Sequence, residues 1–270
     1  MKQPSYLLTA TSTVIDGETL SYLDNKQGKI SLLFLHGAFI NKDYWLAQLT
    51  HFAPHYRVLA VDLAGHGQSS THRKTYSIQE YGKDIHKFLQ QLDLKQVILI
   101  GHSIGAAVML EVTVIAGSTI KGLIGIDYFK QLGVELPKET IQQLMDQLNN
   151  DFANTCAHYA EQALLSFKTA PVLKKRILAA FTNMNPLVGI PLNGSSFVNS
   201  PRELHLLRQL SLDLQLINVD YAPTEETLLQ HYLGPRYHLQ QLQGTCHYPM
   251  LEEPELLSLA IEKSLQQIIF

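Results

Sequence analysis

"ILIGHSIGAAVML", residues 98–110, joins one apolar run to another through Gly101, His102, Ser103, Ile104 and Gly105. The first run has the length and β-branched content of a strand buried on both faces. The second, about 103–116, is apolar almost all round and reads as a helix enclosed by a large core. A strand that passes at once into a helix needs a very tight turn. Such a turn strains the residue at its tip and lifts that hydroxyl clear of the sheet. It also brings the positions two before and two after the tip so close that only small residues fit. Gly101 and Gly105 occupy those positions. The start of the helix adds unpaired N–H groups and a positive dipole end beside the hydroxyl, which suits a developing oxyanion. Ser103 therefore reads as a nucleophile.

Outward from this junction, strand and helix alternate. Asp16-Gly17 is a strong turn signal between two runs rich in Thr, Val, Ile, Tyr and Leu, so residues 5–24 read as a hairpin. "KISLLFLHG" (29–37), "YRVLAVDLAGHG" (56–67), "KQVILIGHS" and "KGLIGID" (121–127) read as buried strands. Helices are predicted over 42–53 and from Ser77, a cap with Glu80 as its capping-box partner, to about Leu92. Residues 130–210 then read as mostly helical, with a Pro/Asn/Gly/Ser loop at 185–201. "LDLQLINVD" (212–220) resumes the strand pattern. A helix at 224–232, a short strand at 236–241 and a helix over 253–268 follow. Alternation of this kind predicts an α/β fold with a mostly parallel sheet covered on both faces. The helical block is an insertion above the sheet.

The 270 residues suit one large domain, and a 46% hydrophobic, 17% charged composition can bury an ordinary core. A net charge of -3 recruits neither nucleic acid nor an anionic membrane by bulk electrostatics. Cys156 and Cys246 form no disulfide framework, which favours a reducing compartment. The first residues lack the apolar segment of a signal peptide, and the apolar run at 104–116 is short and interrupted by Glu111. A cytoplasmic protein without a membrane partner is expected, its oligomeric state open.

Four segments, "LLFLHGAF" (32–39), "VDLAGHGQSS" (61–70), "ILIGHSIGA" (98–106) and "GTCHYPMLEEPE" (244–255), appear in the order and spacing of the α/β-hydrolase family, which the chain resembles over nearly its whole length. The resemblance implies an eight-stranded, mostly parallel sheet with helices on both faces and a helical cap between strands 6 and 7. The core would comprise 1–129 and 211–270, the cap 130–210. It also implies that His247 is the base that activates Ser103, since a serine hydroxyl needs one at neutral pH. His36 would brace a neighbouring loop, His66 would sit in a tight turn, and the His102 side chain would point away from the nucleophile. No histidine pair has a convincing zinc spacing, so neither metal nor cofactor is expected.

The family's acid usually follows the strand after the insertion, where Asp220 lies in "LINVDYAPT". Asn218 stands where a glycine is usual, and Asp127, closing "LIGID", is the rival. Asp220 is the preferred acid. Asp62 is read as a residue that holds loops together. By position, the backbone N–H of Ile104 and that of Ala38, with Phe39 next in line, would form the oxyanion hole. Phe129, Phe152, Tyr159, Phe167, Phe181, Met184 and Phe197 give the cap an apolar cast, although most of them are expected to pack inside it. Trp45 is read as core. The resulting expectation is cleavage of a carboxylic ester with a small to medium apolar acyl group. One alternative is a carbon–carbon bond hydrolase or lyase, with Arg202 and Arg208 handling charge. Another is a slow-turnover ligand sensor. Cys246, beside the base, has no assigned role.

Overall fold

The computed structural model describes residues 7–244 and 246–269. The chain opens with β1 (Thr9–Ile15) and β2 (Glu18–Asp24), an antiparallel hairpin closed by Asp16 and Gly17, both at positive φ (50° and 85°). Two positive φ values in a two-residue loop match the right-handed twist of the strands. The first two residues of the expected hairpin, 5 and 6, lie outside the described residues.

Six strands follow: β3 (Ser31–Leu35), β4 (Arg57–Val61), β5 (Val97–His102), β6 (Ile120–Ile126), β7 (Leu214–Val219) and β8 (Tyr237–Leu242). The eight form one sheet in the order β1-β2-β4-β3-β5-β6-β7-β8. β2 pairs antiparallel with β4, and every pair from β4 to β8 is parallel. β3, β5 and β7 are buried at every position. Enclosure on both faces is why they read as unbroken apolar runs rather than as alternation.

The segment at 42–53 begins as a 3-10 turn, Lys42–Trp45, and continues as α1 (Leu46–Phe52). α2 (Ile78–Gln91) is capped by Ser77, whose Oγ accepts from Glu80 N at 3.2 Å, while the Glu80 carboxylate accepts from Lys83 instead of closing a capping box. α3 (Ile104–Ala116) is the apolar helix after Ser103 and packs on α2. Between β6 and β7 lie α4 (Lys138–Asn150), α5 (Phe152–Tyr159), which runs into a π-helical turn over Ala160–Leu164, α6 (Pro171–Thr182), α7 (Pro186–Phe197) and α8 (Ser200–Gln209). α9 (Thr227–Leu233), α10 (Pro249–Glu252) and α11 (Pro254–Ile269) complete the chain. The two faces of β6 show the layering. A Cβ on Gly122 would strike Ile268 of α11, whereas one on Gly125 would face Leu216 of β7 and Ala106 of α3. Trp45 is fully buried, its ring 5.2 Å from that of Phe34. No helix among the described residues is long and apolar enough to cross a membrane.

One expectation fails here. Residues 185–201 are not a loop but mostly α7. Asn185 accepts from Leu187 N, Pro186 opens the helix, and Gly189 lies where any side chain would meet the Phe152 ring. The residues that suggest a loop are here a cap, a helix-opening proline and a close-packing glycine. Pro191 inside the helix removes one backbone bond but does not end it.

The inserted helices are fastened to the core at several points. Arg202 of α8 donates two hydrogen bonds, 2.9 and 2.8 Å, to the buried Glu111 of α3. Ser195 Oγ of α7 accepts from Ile78 N at the start of α2, and Gln79 Nε2 donates to Asn199 Oδ1.

Candidate active site

Ser103 stands between β5 and α3 at φ 53°, ψ −128°, a conformation that costs energy for any residue with a Cβ. The flanking glycines are required on both sides. A Cβ on Gly101 would come within 2.5 Å of Gly105 O, and one on Gly105 within 2.5 Å of Leu35 O at the end of β3. Ser103 N donates to Ile126 O across the β5–β6 pair, so the tip of the turn is tied to the neighbouring strand end.

Asp127 follows directly on that strand, at φ 48°. Its N–H donates to Ile217 O of β7. Its Oδ1 accepts from Val219 N at 3.0 Å and pairs with Lys130 Nζ at 3.0 Å. Its Oδ2 lies 2.5 Å from His247 Nδ1 and accepts from Tyr221 Oη at 2.9 Å. A carboxylate facing Nδ1 assigns the imidazole proton to that nitrogen and leaves Nε2 as the basic one. The His247 backbone is held as well: its N–H donates to Leu164 O of the inserted helices, and its carbonyl accepts from His102 Nε2 at 2.8 Å.

Asp220, preferred from the sequence, does not meet the imidazole. Its N–H donates to Leu242 O, and its exposed carboxylate accepts from Gly244 N at 3.0 Å. After Val219 the chain turns toward β8, which carries Asp220 away and leaves Tyr221 facing the Asp127–His247 pair. Asn218, the residue in place of the usual glycine, stitches the two strand ends together. It accepts from Tyr128 N and donates to Tyr128 O and Thr224 Oγ1. His102 is fully buried and packs under the His247 loop, the two rings 4.5 Å apart, a contact not read from the sequence.

Burial by itself raises the Asp127 pKa. The hydrogen bond from His247 and its charge, then Lys130 and the Val219 N–H, outweigh it and hold the carboxyl at about 2, against the ordinary 3.8. A carboxyl depressed in the folded state contributes stability that is complete above its unfolded pKa and lost as pH falls through its folded pKa. Thermal denaturation across an acid series is therefore expected to show a loss of about 2 kcal/mol between about pH 4 and pH 2 that Asp127→Asn lacks.

The neighbouring polar residues are mostly structural. His36 Nε2 accepts from Leu63 N at 3.0 Å, so its Nδ1–H donates to Gly37 O, and burial lowers its pKa to about 4. The neutral ring thereby fixes the start of the loop bearing Ala38 and Phe39, the latter at φ 64°. His66 is buried in its turn, with a pKa lowered to about 3, chiefly by burial. Asp62 binds Lys42 through Nζ and backbone N, and also accepts from Gln68 N, which joins two loops. Burial pushes the Cys246 thiol up to about 12, so it stays protonated near neutral pH.

Ser103, His247, Asp127, Tyr221, Ala38, Phe39 and Ile104 all line one cavity of ≈ 910 Å³, lined on its other side by the inserted helices. Of the aromatics singled out in the sequence, Phe129, Tyr159, Phe181 and Phe197 line it. Phe152 packs against Phe39, Met184 is buried elsewhere, and Phe167 is exposed. Arg202 is spent on Glu111 and Arg208 on the Tyr232 hydroxyl, so neither lines the cavity. Tyr221 and Lys130 were not singled out in the sequence. The three-residue spacing of Asp127 and Lys130 was the available signal for the second.

A family model described as alpha/beta hydrolase fold matches residues 30–212. A protein of Haemophilus influenzae, provisionally named an esterase/lipase, is 34% identical over 96 residues, which are 36% of this chain and 33% of that one. The chain thus spans about a third of that relative's length. Among solved structures, a thermophilic esterase from Thermogutta terrifontis superposes with a TM-score of 0.82 at 19% identity, covering 97% of this chain and 100% of that one. An enol-lactonase from Burkholderia xenovorans gives 0.81 at 14% identity, covering 95% and 100%. At such identities the likeness of the solved structures is one of fold.

Proposed function

The chain belongs to the α/β-hydrolase fold family, and from that premise we propose that it hydrolyses carboxylic esters with a small to medium, largely apolar acyl group, using Ser103, His247 and Asp127. The observation that carries this reading is the 2.5 Å contact of His247 Nδ1 with Asp127, with Ser103 lining the same cavity on its strained turn. In the first step His247 Nε2 takes the Ser103 proton as Oγ attacks the ester carbonyl. The negative charge collects on the carbonyl oxygen, where the backbone N–H groups of Ile104 and of Ala38 or Phe39 receive it. The imidazolium then protonates the departing alcohol as the tetrahedral centre collapses to an acyl-enzyme. Water, deprotonated by the same nitrogen, releases the acid. Asp127 orients the imidazole and stabilises its charged form, while Tyr221 and Lys130 hold the carboxylate in place.

The inserted helices act as a cap in this reading. They cover part of the cavity, and their aliphatic and aromatic side chains favour an apolar acyl chain. The carbon–carbon hydrolase alternative has no comparable support, since Arg202 and Arg208 are engaged elsewhere. A cytoplasmic location is proposed on the cysteine content alone.

The test is labelling with a fluorophosphonate, followed by mass-spectrometric mapping. A single adduct on Ser103, with turnover of p-nitrophenyl esters of graded chain length, is expected. A folded protein that neither takes up the probe nor cleaves any ester overturns the reading.

A further inference from the structure

The cavity wall formed by α7 and α8 carries a feature that an apolar acyl chain does not use. Asn193, Ser196, Ser200 and Glu203 all line the cavity, at spacings of three, four and three residues. Asn193 and Ser196 lie one turn apart on α7, and Ser200 and Glu203 lie one turn apart on α8 beyond the break at 198–199, so the two helices together bring a polar stripe to a cavity whose lining also holds Leu144 and Leu148 of α4 and Leu192 of α7. One member of the stripe has a buried orphan atom, and a second has a carboxylate oxygen to spare. Ser200 Oγ is buried without a partner among the described residues. Glu203, only 7% exposed, accepts from Tyr128 Oη at 2.5 Å and Asn199 Nδ2 at 2.9 Å, both on Oε1, which leaves Oε2 uncommitted. Buried polar atoms are satisfied in nearly all folded proteins, and exceptions point to a missing partner.

The charges of the cavity narrow what that partner is. Among the described residues, Lys130 is the one lysine or arginine in its lining. Its ammonium has three hydrogens and three acceptors: Asp127 Oδ1, Val219 O at 2.5 Å and Ala222 O at 2.9 Å. Among the described residues, no lysine or arginine of the lining remains for an anionic substrate group, whereas Glu203 presents an acceptor.

We propose that this stripe is a recognition subsite for a hydroxyl-bearing acyl chain, in which Glu203 and Ser200 bind the hydroxyl and Glu203 repels a carboxylate at the same place. The inference rests on the hydrolase reading and sharpens its substrate class. The substrate is an ester of a hydroxy acid, apolar along its length and polar where it meets α7 and α8.

The test compares p-nitrophenyl esters of alkanoic, ω-hydroxyalkanoic and ω-carboxyalkanoic acids, matched over a range of lengths. At the length that reaches the stripe, the hydroxy ester is expected to exceed the alkanoic ester in kcat/KM by about tenfold, and the carboxy ester to fall below it by about tenfold. Glu203→Gln keeps an acceptor for Tyr128 and Asn199 but removes the charge. In that variant the ratio of carboxy to alkanoic ester rises toward one. A purely structural Glu203 would lower all three substrates alike and leave the ratios unmoved. Equal kcat/KM for the three series at every length, or ratios unchanged in Glu203→Gln, overturns the subsite while leaving the hydrolase reading intact. A readout without turnover is the thermal stabilisation of Ser103→Ala protein by alkanediols, against dicarboxylates of matched length. Stabilisation by the diols alone supports the subsite even if every ester fails. Equal stabilisation by both overturns it.

Discussion

Asp127→Asn lowers kcat/KM for a cleavable ester by about 10⁴-fold, whereas Asp220→Asn remains within about threefold of the parent enzyme. The two aspartates end adjacent strands, and the contrast follows from what each touches. Asp127 Oδ2 faces His247 Nδ1, so an amide there presents either a second donor to the Nδ1 proton or a neutral oxygen. The first drives the imidazole into the wrong tautomer, and the second removes the charge that stabilises the imidazolium. Asp220 holds Gly244 N at the surface, so its amide changes one exposed hydrogen bond. The measurement is steady-state kinetics on both variants with matched thermal melts. Equal losses, or a larger loss in Asp220→Asn, would show that the geometry around His247 is not the working one.

Ser103→Ala removes ester cleavage by about 10⁴-fold or more and abolishes fluorophosphonate labelling. The substitution is unusually clean for a strained position. Alanine keeps the Cβ that makes φ 53° costly, so the backbone strain is common to both proteins. The Ser103 N–H to Ile126 O bond belongs to the main chain and persists. Stability should therefore change little while kcat collapses. Activity retained at more than about a tenth of the parent rate would remove Ser103 from the mechanism.

These two residues differ in how far the sequence exposes them. Ser103 is readable because its turn leaves a local imprint: an apolar strand, two obligatory glycines and an apolar helix within a dozen residues. The sheet is legible for the same reason, since strands enclosed on both faces show as unbroken apolar runs. Asp127 and Asp220 leave no such imprint. Ile126 and Ile217 are register partners on neighbouring parallel strands, so either strand end could reach His247. The choice depends on the turn after Val219 and on Asn218, which clamps the β6 end through Tyr128. Those are long-range contacts that residue types along one chain do not announce. The segment at 185–201 misleads in the opposite way. Its Pro, Asn and Gly are turn formers by composition, but tertiary packing against Phe152 and α2 uses them inside a helix. Reading it as a loop also hides the polar stripe, which exists only once 193 through 203 are wound into helices.

The Arg202–Glu111 pair has a consequence for the reach of the cavity. Glu111 is nearly fully enclosed on α3, the same helix that begins beside Ser103. Swinging α8 outward would break both hydrogen bonds from Arg202 to that carboxylate. α7 is pinned beside it through Ser195 and Ile78 N. Both helices are thus fastened to the elements that carry the nucleophile turn, α8 to α3 and α7 to the start of α2. If the proposed esterase reading holds, a wall anchored in this way sets a fixed reach from Ser103, against which the length of an acyl chain would be gauged.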